Sequence, residues 1–204
     1  MVLMVSVESS YSSEEQDILL GIAAGSISHG LHSGGALPVE MDSYNENLRA
    51  QRACFVTLEI NKQLRGCIGS LLARQALVCD VASNAYAAAF DDPRFAALSA
   101  RELDLLDIHI SILSPPEPMT FSSQDDLISK IKPGIDGLIL SDGIYRGTFL
   151  PSVWGSLATP ELFLSQLKLK AGLPSNYWSD SVKIERYSTF AFGKLISQIH
   201  FEHS

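Results

Sequence analysis

The chain has 204 residues, of which 46% are hydrophobic and 19% charged, a make-up that fits a globular fold with a substantial core. A formal net charge of -8 disfavours bulk nucleic-acid binding, because an acidic surface repels phosphate backbones, and no Lys/Arg run marks a local exception. No apolar stretch approaches the ~20 residues of a membrane helix, and Met1 to Val7 lacks the basic flank of a signal peptide.

In chain order, Ser13 followed by Glu14 and Glu15 reads as a capped helix start. Ile18, Leu19, Ile22, Ala23, Ile27 and Leu31 continue it at helical spacing as far as Gly34-Gly35. Residues 36–49 read as a loop. Cys54 to Ile60 alternates apolar and polar positions, the pattern of a half-buried strand. Leu64 to Ile68 is expected to return beside it after Asn61-Lys62-Gln63. Leu72 to Phe90 is an alanine-rich helix, ended by Asp92-Pro93. Leu105 to Leu113 reads as a strand stopped by the prolines at 115, 116 and 118. A short helix is expected from Ser123 to Ile131. A hairpin is expected around Ser141-Asp142-Gly143, between Leu138–Leu140 and Tyr145–Leu150. Thr159-Pro160 caps a further helix, with Gly172 just past its end. Val182 to Phe192 supplies one or two final strands. Hairpins interleaved with helices argue for an α+β fold, mainly antiparallel sheet flanked by helices. The expected organisation is one domain over 13–195, with loose termini at 1–12 and 196–204.

The stretch Leu64-Arg65-Gly66-Cys67-Ile68-Gly69-Ser70-Leu71 is the richest in chemistry. Glycine permits sharp turns and close approach, and a nearby cation favours the reactive thiolate. If Asn61-Lys62-Gln63 is a three-residue loop, Ile60 pairs with Leu64, Glu59 faces Arg65 and Thr57 faces Cys67. Leu64, Gly66 and Ile68 then join Val56, Leu58 and Ile60 on the apolar face. A two-residue loop would shift the register and bring Arg65 among apolar side chains. Cys54 and Cys67 fall on opposite faces, so they cannot form a disulfide. With no Cys-x-x-Cys and no Cys/His cluster at zinc spacing, three free thiols, no metal, no cofactor and a reducing cytoplasm are expected.

Cys67 and Arg65 are therefore the candidate catalytic pair, and Gly66, Gly69, Ser70, Asp92 and Arg94 the candidate binding residues. Each also has a structural reading. Cys67 reads as a small hydrophobe at a strand end, Arg65 as a cross-strand partner of Glu59, and Asp92 as a turn cap or the partner of Arg94. No histidine is close to Cys67 in sequence. His109, on a predicted strand, is the best-placed base. His29 and His32, three apart on a helix, read as a surface pair.

These residues also carry a resemblance. Phe55-Val56-Thr57-Leu58, the Leu64–Leu71 octapeptide and Ala87-Ala88-Ala89-Phe90-Asp91-Asp92-Pro93-Arg94-Phe95 come first. Ile110 to Glu117, Gly134 to Leu138, Leu150 to Trp154 and Lys170-Ala171-Gly172-Leu173 follow in the same order. Over roughly residues 15 to 192 the chain resembles the AMMECR family (AMME chromosomal region protein), whose bacterial members are called AmmeMemoRadiSam system protein A. The resemblance implies an α+β fold with a larger part and a smaller α/β part. It implies a cleft between them near the Arg65–Ser70 motif, and a genomic association with a Memo-like protein and a radical SAM enzyme. It supplies no established reaction. Two functions are then open: an enzyme with Cys67 as nucleophile acting on a small molecule or peptide, or a non-catalytic adaptor for those two partners.

Overall fold

A computed structural model describes residues 11–201. The chain divides into two compact units, one built from residues up to Leu113 and from Phe190 onward, the other from Ser114–Thr189. Among the described residues no helix is long and apolar enough to cross a membrane.

The first unit opens with helix α1, Ser13–Ser33. Its cap lies one residue earlier than the sequence pattern places it: Ser12 Oγ accepts from the Glu15 N–H, and the Glu15 carboxylate accepts in turn from the Ser12 N–H. Gly34, at φ 71°, ends the helix in the left-handed conformation that suits glycine. The expected loop over 36–49 contains a short helix, α2, Glu46–Arg49. Strand β1 (Cys54–Ile60), strand β2 (Gln63–Gly69) and helix α3 (Leu77–Phe90) follow. The helix starts five residues later than its apolar pattern suggests. Helix α4 (Ala100–Leu103), strand β3 (Leu106–Leu113) and the late strand β8 (Thr189–Leu195) complete a sheet of order β2-β1-β3-β8.

The alanines of α3 let neighbours close in. Gly66 of β2 has no Cβ, and one there would collide with the Ala88 carbonyl oxygen. On the other side Ser26 Oγ of α1 donates to the Ala82 carbonyl at 2.8 Å. Val56, Leu58, Ile108 and Ile110 are fully buried beneath these helices with Leu19, Ile27 and Val81. Tyr11 and Ile196, which flank the 13–195 span, are buried in this core. The rest of the expected loose termini, 1–10 and 202–204, lies outside the described residues, as does His203.

The β1–β2 register corrects one sequence inference. The loop has two residues, not three: Asn61 and Lys62 both have positive φ, 52° and 63°, as in a type I′ turn. Ile60 pairs with Gln63 and Glu59 with Leu64. A bulge then makes Arg65 an extra residue on β2, and Leu58 pairs with Gly66 and Thr57 with Cys67. The bulge absorbs the one-residue shift that a two-residue loop would otherwise impose. The Thr57–Cys67 pairing stands, Glu59 does not face Arg65, and Leu64 is exposed rather than on the apolar face.

The second unit is a sheet of order β4-β7-β5-β6: β4 Glu117–Pro118, β5 Gly137–Asp142, β6 Tyr145–Phe149 and β7 Lys183–Tyr187. It packs with helices α5, Gln124–Lys130, and α6, Pro160–Lys170. Thr159 caps α6 as its sequence suggests, Ser123 caps α5 rather than being its first residue, and Gly172 has φ 88° just beyond α6. Trp154 stacks on Phe163 at 3.9 Å and donates through Nε1 to the Asp136 carbonyl at 2.8 Å. Lys168 is buried in this core, with its Nζ 2.6 Å from Gln124 Oε1 and over the Trp178 ring. Burial pushes its ammonium pKa down. Both units are mixed helix and antiparallel sheet, so the α+β class holds.

Candidate functional site

All the candidate residues lie on the first unit, at the edge strand β2 and the turn that follows α3. In an antiparallel edge strand, alternate residues turn their N–H and C=O away from the sheet. At Cys67 both outward groups are taken by side chains. The N–H donates to Asp92 Oδ2 at 2.9 Å, and the carbonyl accepts from Arg94 Nη2 at 3.3 Å. Arg94 is itself fixed on Asp92 by Nε at 2.9 Å and Nη2 at 2.7 Å. The Asp–Arg pair thus stands where a further strand would stand, and blunts an otherwise open edge. These Arg94 hydrogen bonds, joined by those from the Cys67 and Arg94 backbone N–H groups, hold the Asp92 carboxyl well below the usual carboxylate range. Asp92 in return raises the Arg94 pKa.

Arg65, re-aimed by the bulge, turns to the segment after the Asp92 turn. Its Nε lies 2.7 Å and its Nη2 3.3 Å from the two Glu102 oxygens, and Nη2 also donates to the Ala96 carbonyl at 2.9 Å. Arg65 first, then the Ser99 backbone N–H, pulls the Glu102 pKa down to about 2. Both guanidiniums lie against the Phe95 ring, Arg65 at 5.9 Å and Arg94 at 5.5 Å from its centre. Charge pairs and an aromatic face hold the corner in one conformation.

The Cys67 side chain is half-buried on the sheet's polar face, and the Thr57 hydroxyl donates to its sulfur at 3.2 Å. His109 pairs with Thr57 from the far side, so a whole strand separates it from Cys67. At ~4.8 Å per strand that is roughly 10 Å, too far for direct proton transfer. Its ring lies against Gly193, where a Cβ would strike Nδ1, and Nε2 is 3.3 Å from Asp107 Oδ1.

The glycines have packing roles. Gly66 admits α3, and a Cβ on Gly69 would collide with the Cys54 carbonyl and the Phe55 ring. The Ser70 N–H donates to the Cys54 carbonyl at 3.2 Å, and Ser70 Oγ donates to the Leu72 carbonyl at 2.7 Å. Behind this corner Cys54 is buried as core filler beside Asp80. The Asp80 carboxylate accepts from the Cys54 N–H at 3.0 Å, the Cys54 thiol at 3.3 Å, Asn84 at 3.0 Å and Gln75 at 3.2 Å. Burial first, then the Asp80 charge, pushes the Cys54 thiol well up, and the same causes raise Cys79. Cys54 is thus a neutral donor. Among the described residues no group of three or more His, Cys, Asp or Glu is placed to hold a metal ion.

The structure thus brings Arg65, Gly66, Cys67, Asp92 and Arg94 into one network, with Gly69 and Ser70 at its rim. Sequence reasoning missed Glu102 and Phe95. A signal for Glu102 existed: Ser99-Ala100-Arg101-Glu102 is a capping-box pattern, and Glu102 Oε2 accepts from both the Ser99 N–H and Oγ. Nothing in that pattern names Arg65 as the second partner.

The fold has counterparts among known proteins. A crystal structure of the uncharacterized protein PH0010 from Pyrococcus horikoshii superposes with a TM-score of 0.79 at 32% identity, covering 90% of this chain and 93% of that one. Protein MJ0810 of Methanocaldococcus jannaschii is 38% identical over 162 residues, which is 76% of this chain and 79% of that protein. A protein of Thermotoga maritima is 43% identical over 150 residues, 72% of this chain and 81% of its own length. The AMMECR1 family model matches residues 20–192, a span that holds the whole Cys67 corner and every strand but the last three residues of β8, and the chain belongs to the AMMECR1 family.

Proposed function

We propose that this chain is the non-catalytic binding component of a three-protein modification system, and that the Cys67 corner is a preformed docking point for its protein partners. Those partners, a Memo-like protein and a radical SAM protein, come from the family resemblance. The reading rests on how far the corner's polar groups are committed to one another, Arg65 Nη1 being the one buried side-chain atom of the corner without a hydrogen-bond partner among the described residues. An anion hole needs N–H groups free to meet developing charge, but Asp92 takes the Cys67 N–H and the Cys54 carbonyl takes that of Ser70. A nucleophilic thiol needs a base or free cation at the sulfur, but Arg65 is held by Glu102 and Ala96, and Arg94, whose charge does reach Cys67, is held by Asp92. A surface already locked in one conformation loses little freedom on docking, which favours association.

The second reading keeps Cys67 as a nucleophile toward an electrophilic small molecule or peptide. It draws on one contact, the Thr57 hydroxyl that orients the sulfur.

Two measurements on the whole chain separate the readings: capture of the two purified partners, and the iodoacetamide alkylation rate of Cys67 at neutral pH. The docking reading expects Cys67→Ser to capture the partners as well as the wild type. It expects Arg94→Ala, which unlocks the corner, to capture them roughly tenfold less well. Cys67 should alkylate no faster than glutathione. Alkylation well above the glutathione rate, with loss of system activity in Cys67→Ser and partner capture unaffected by Arg94→Ala, would reverse the assignment.

A further inference from the structure

The second unit has a groove lined by its own residues. It opens where α5 ends, beside β4 and β7, with a volume of about 470 Å³. That is the size of a small-molecule site. Three cations line it, Lys130, Lys132 and Arg186, in a chain whose net charge is -8. Met119 and Ile131 give it an apolar side, and Thr120 adds a hydroxyl.

The three cations are available to different degrees. Lys130 is anchored: its Nζ donates to the Thr120 carbonyl and to Asp126, both at 3.0 Å, which fixes the position of its charge. Among the described residues Arg186 meets the exposed Glu117 carboxylate at 3.6 Å, beyond hydrogen-bond length, and such pairs contribute little. The Lys132 backbone N–H is used by Asp136, but its ammonium has no acidic partner among the described residues. Two loosely held cations and one anchored cation converge on a groove with an apolar side. A planar guanidinium and two ammoniums suit a tetrahedral, multiply charged oxyanion.

We propose that this groove binds a small phosphate-bearing molecule with an apolar body. The phosphate takes Arg186 and Lys132 and displaces the weak Glu117 contact. The apolar body rests on Met119 and Ile131. A nucleic-acid strand is a poorer fit, because the cations are confined to a single groove on an acidic chain.

The test is a titration of the whole chain, labelled with nitrogen-15, with phenyl phosphate and separately with inorganic phosphate, followed by amide shifts. Saturable shifts are expected at Ser129 to Lys132 and at Arg186, with phenyl phosphate binding more tightly than inorganic phosphate. Lys132→Glu should weaken phenyl phosphate roughly tenfold or more. Its side chain is exposed and its N–H bond to Asp136 is a backbone one, so the fold is retained. Arg101→Glu, an exposed site on α4, should change nothing. Shifts that do not saturate, or that persist unchanged in Lys132→Glu, overturn the site. Equal affinity for the two probes overturns the apolar half of the proposal, and tighter binding of an oligonucleotide than of phenyl phosphate overturns the ligand class.

Discussion

The two hairpins of the molecule make a controlled comparison. Each joins its strands by a two-residue loop: Asn61-Lys62 between β1 and β2, and Gly143-Ile144 between β5 and β6. Each carries a glycine on its second strand under the end of a helix, Gly66 beneath Ala88 and Gly147 beside Ala171. The β5–β6 pairing is regular from Leu138↔Phe149 to Asp142↔Tyr145. The β1–β2 pairing breaks at the bulge, and its outer edge is clamped by Asp92 and Arg94. Glycine under a helix is therefore a packing device common to both. What sets the first hairpin apart is the bulge that re-aims Arg65 and the charge pairs that close over Cys67.

If so, replacing the two glycines should hurt unequally, and this is the largest effect expected. A Cβ on Gly66 would run into the Ala88 carbonyl, rigid helix backbone that cannot give way. Gly66→Ala should cost about 3 kcal/mol or more, the upper end of overpacking losses. On Gly147 the nearest atoms are Ala171 N at 2.8 Å and its Cα and Cβ at 3.0 Å, at the cap just past the helix, where the chain can shift. Gly147→Ala should cost about 1–2 kcal/mol. Chemical denaturation of both variants measures the difference. Equal losses would mean that the first hairpin is no more tightly built than the second.

The charge pairs at the corner give an effect of intermediate size with a definite pH signature. The Glu102 pKa falls from an ordinary 4.5 to about 2 in the fold. The unfolded chain therefore takes up the proton first as pH drops. The stabilisation is complete above about pH 4.5 and is lost as pH falls toward 2. The pair is partly exposed, with Glu102 at 30% and Arg65 at 14%, so solvent screening limits its contribution to about 1 kcal/mol or less. Glu102→Gln should leave a melting profile flatter between pH 4.5 and 2 than that of the wild type. Asp92 titrates in the same direction and continues to contribute in that variant. An unchanged acid profile would show that the Arg65 fork is not held by charge.

How much of this was legible in the sequence follows from range. The helix cap at Thr159, the stop at Gly34 and the alternation of Cys54–Ile60 are local signals, and the structure follows them. The β1–β2 register was legible only in part, because a bulge leaves no mark in the binary pattern. Arg65 reads the same whether it is paired or extra. The Asp92 turn is a local signal, but its hydrogen bond to Cys67 joins residues 25 apart, and Arg65 meets Glu102 across 37. Pairings at that distance depend on how α3 lies across the sheet, which Gly66 and Ala88 decide together. In sequence Lys168 is one more lysine near a helix end, and only packing reveals its burial.

The smallest effect sits at the tip of the first hairpin and bears on the origin of its irregularity. Lys62 holds φ 63°, a left-handed conformation that costs a side-chain-bearing residue, whereas the second hairpin has glycine, Gly143 at φ 57°, at its positive-φ position. Glycine at 62 relieves that strain, but it adds freedom to the unfolded chain, and the two effects partly cancel. Lys62→Gly should therefore stabilise by about 0.5 kcal/mol, read as a small rise in the denaturation midpoint with no change in slope. If the bulge exists to keep the two-residue turn in register with the core face, the Asp92–Cys67 contact should survive this substitution. Backbone amide exchange at Cys67 should then be as slow as in the wild type. Faster exchange would mean that the strained turn itself tensions β2 against its clamp, and that the first hairpin's tip and its edge act as one device.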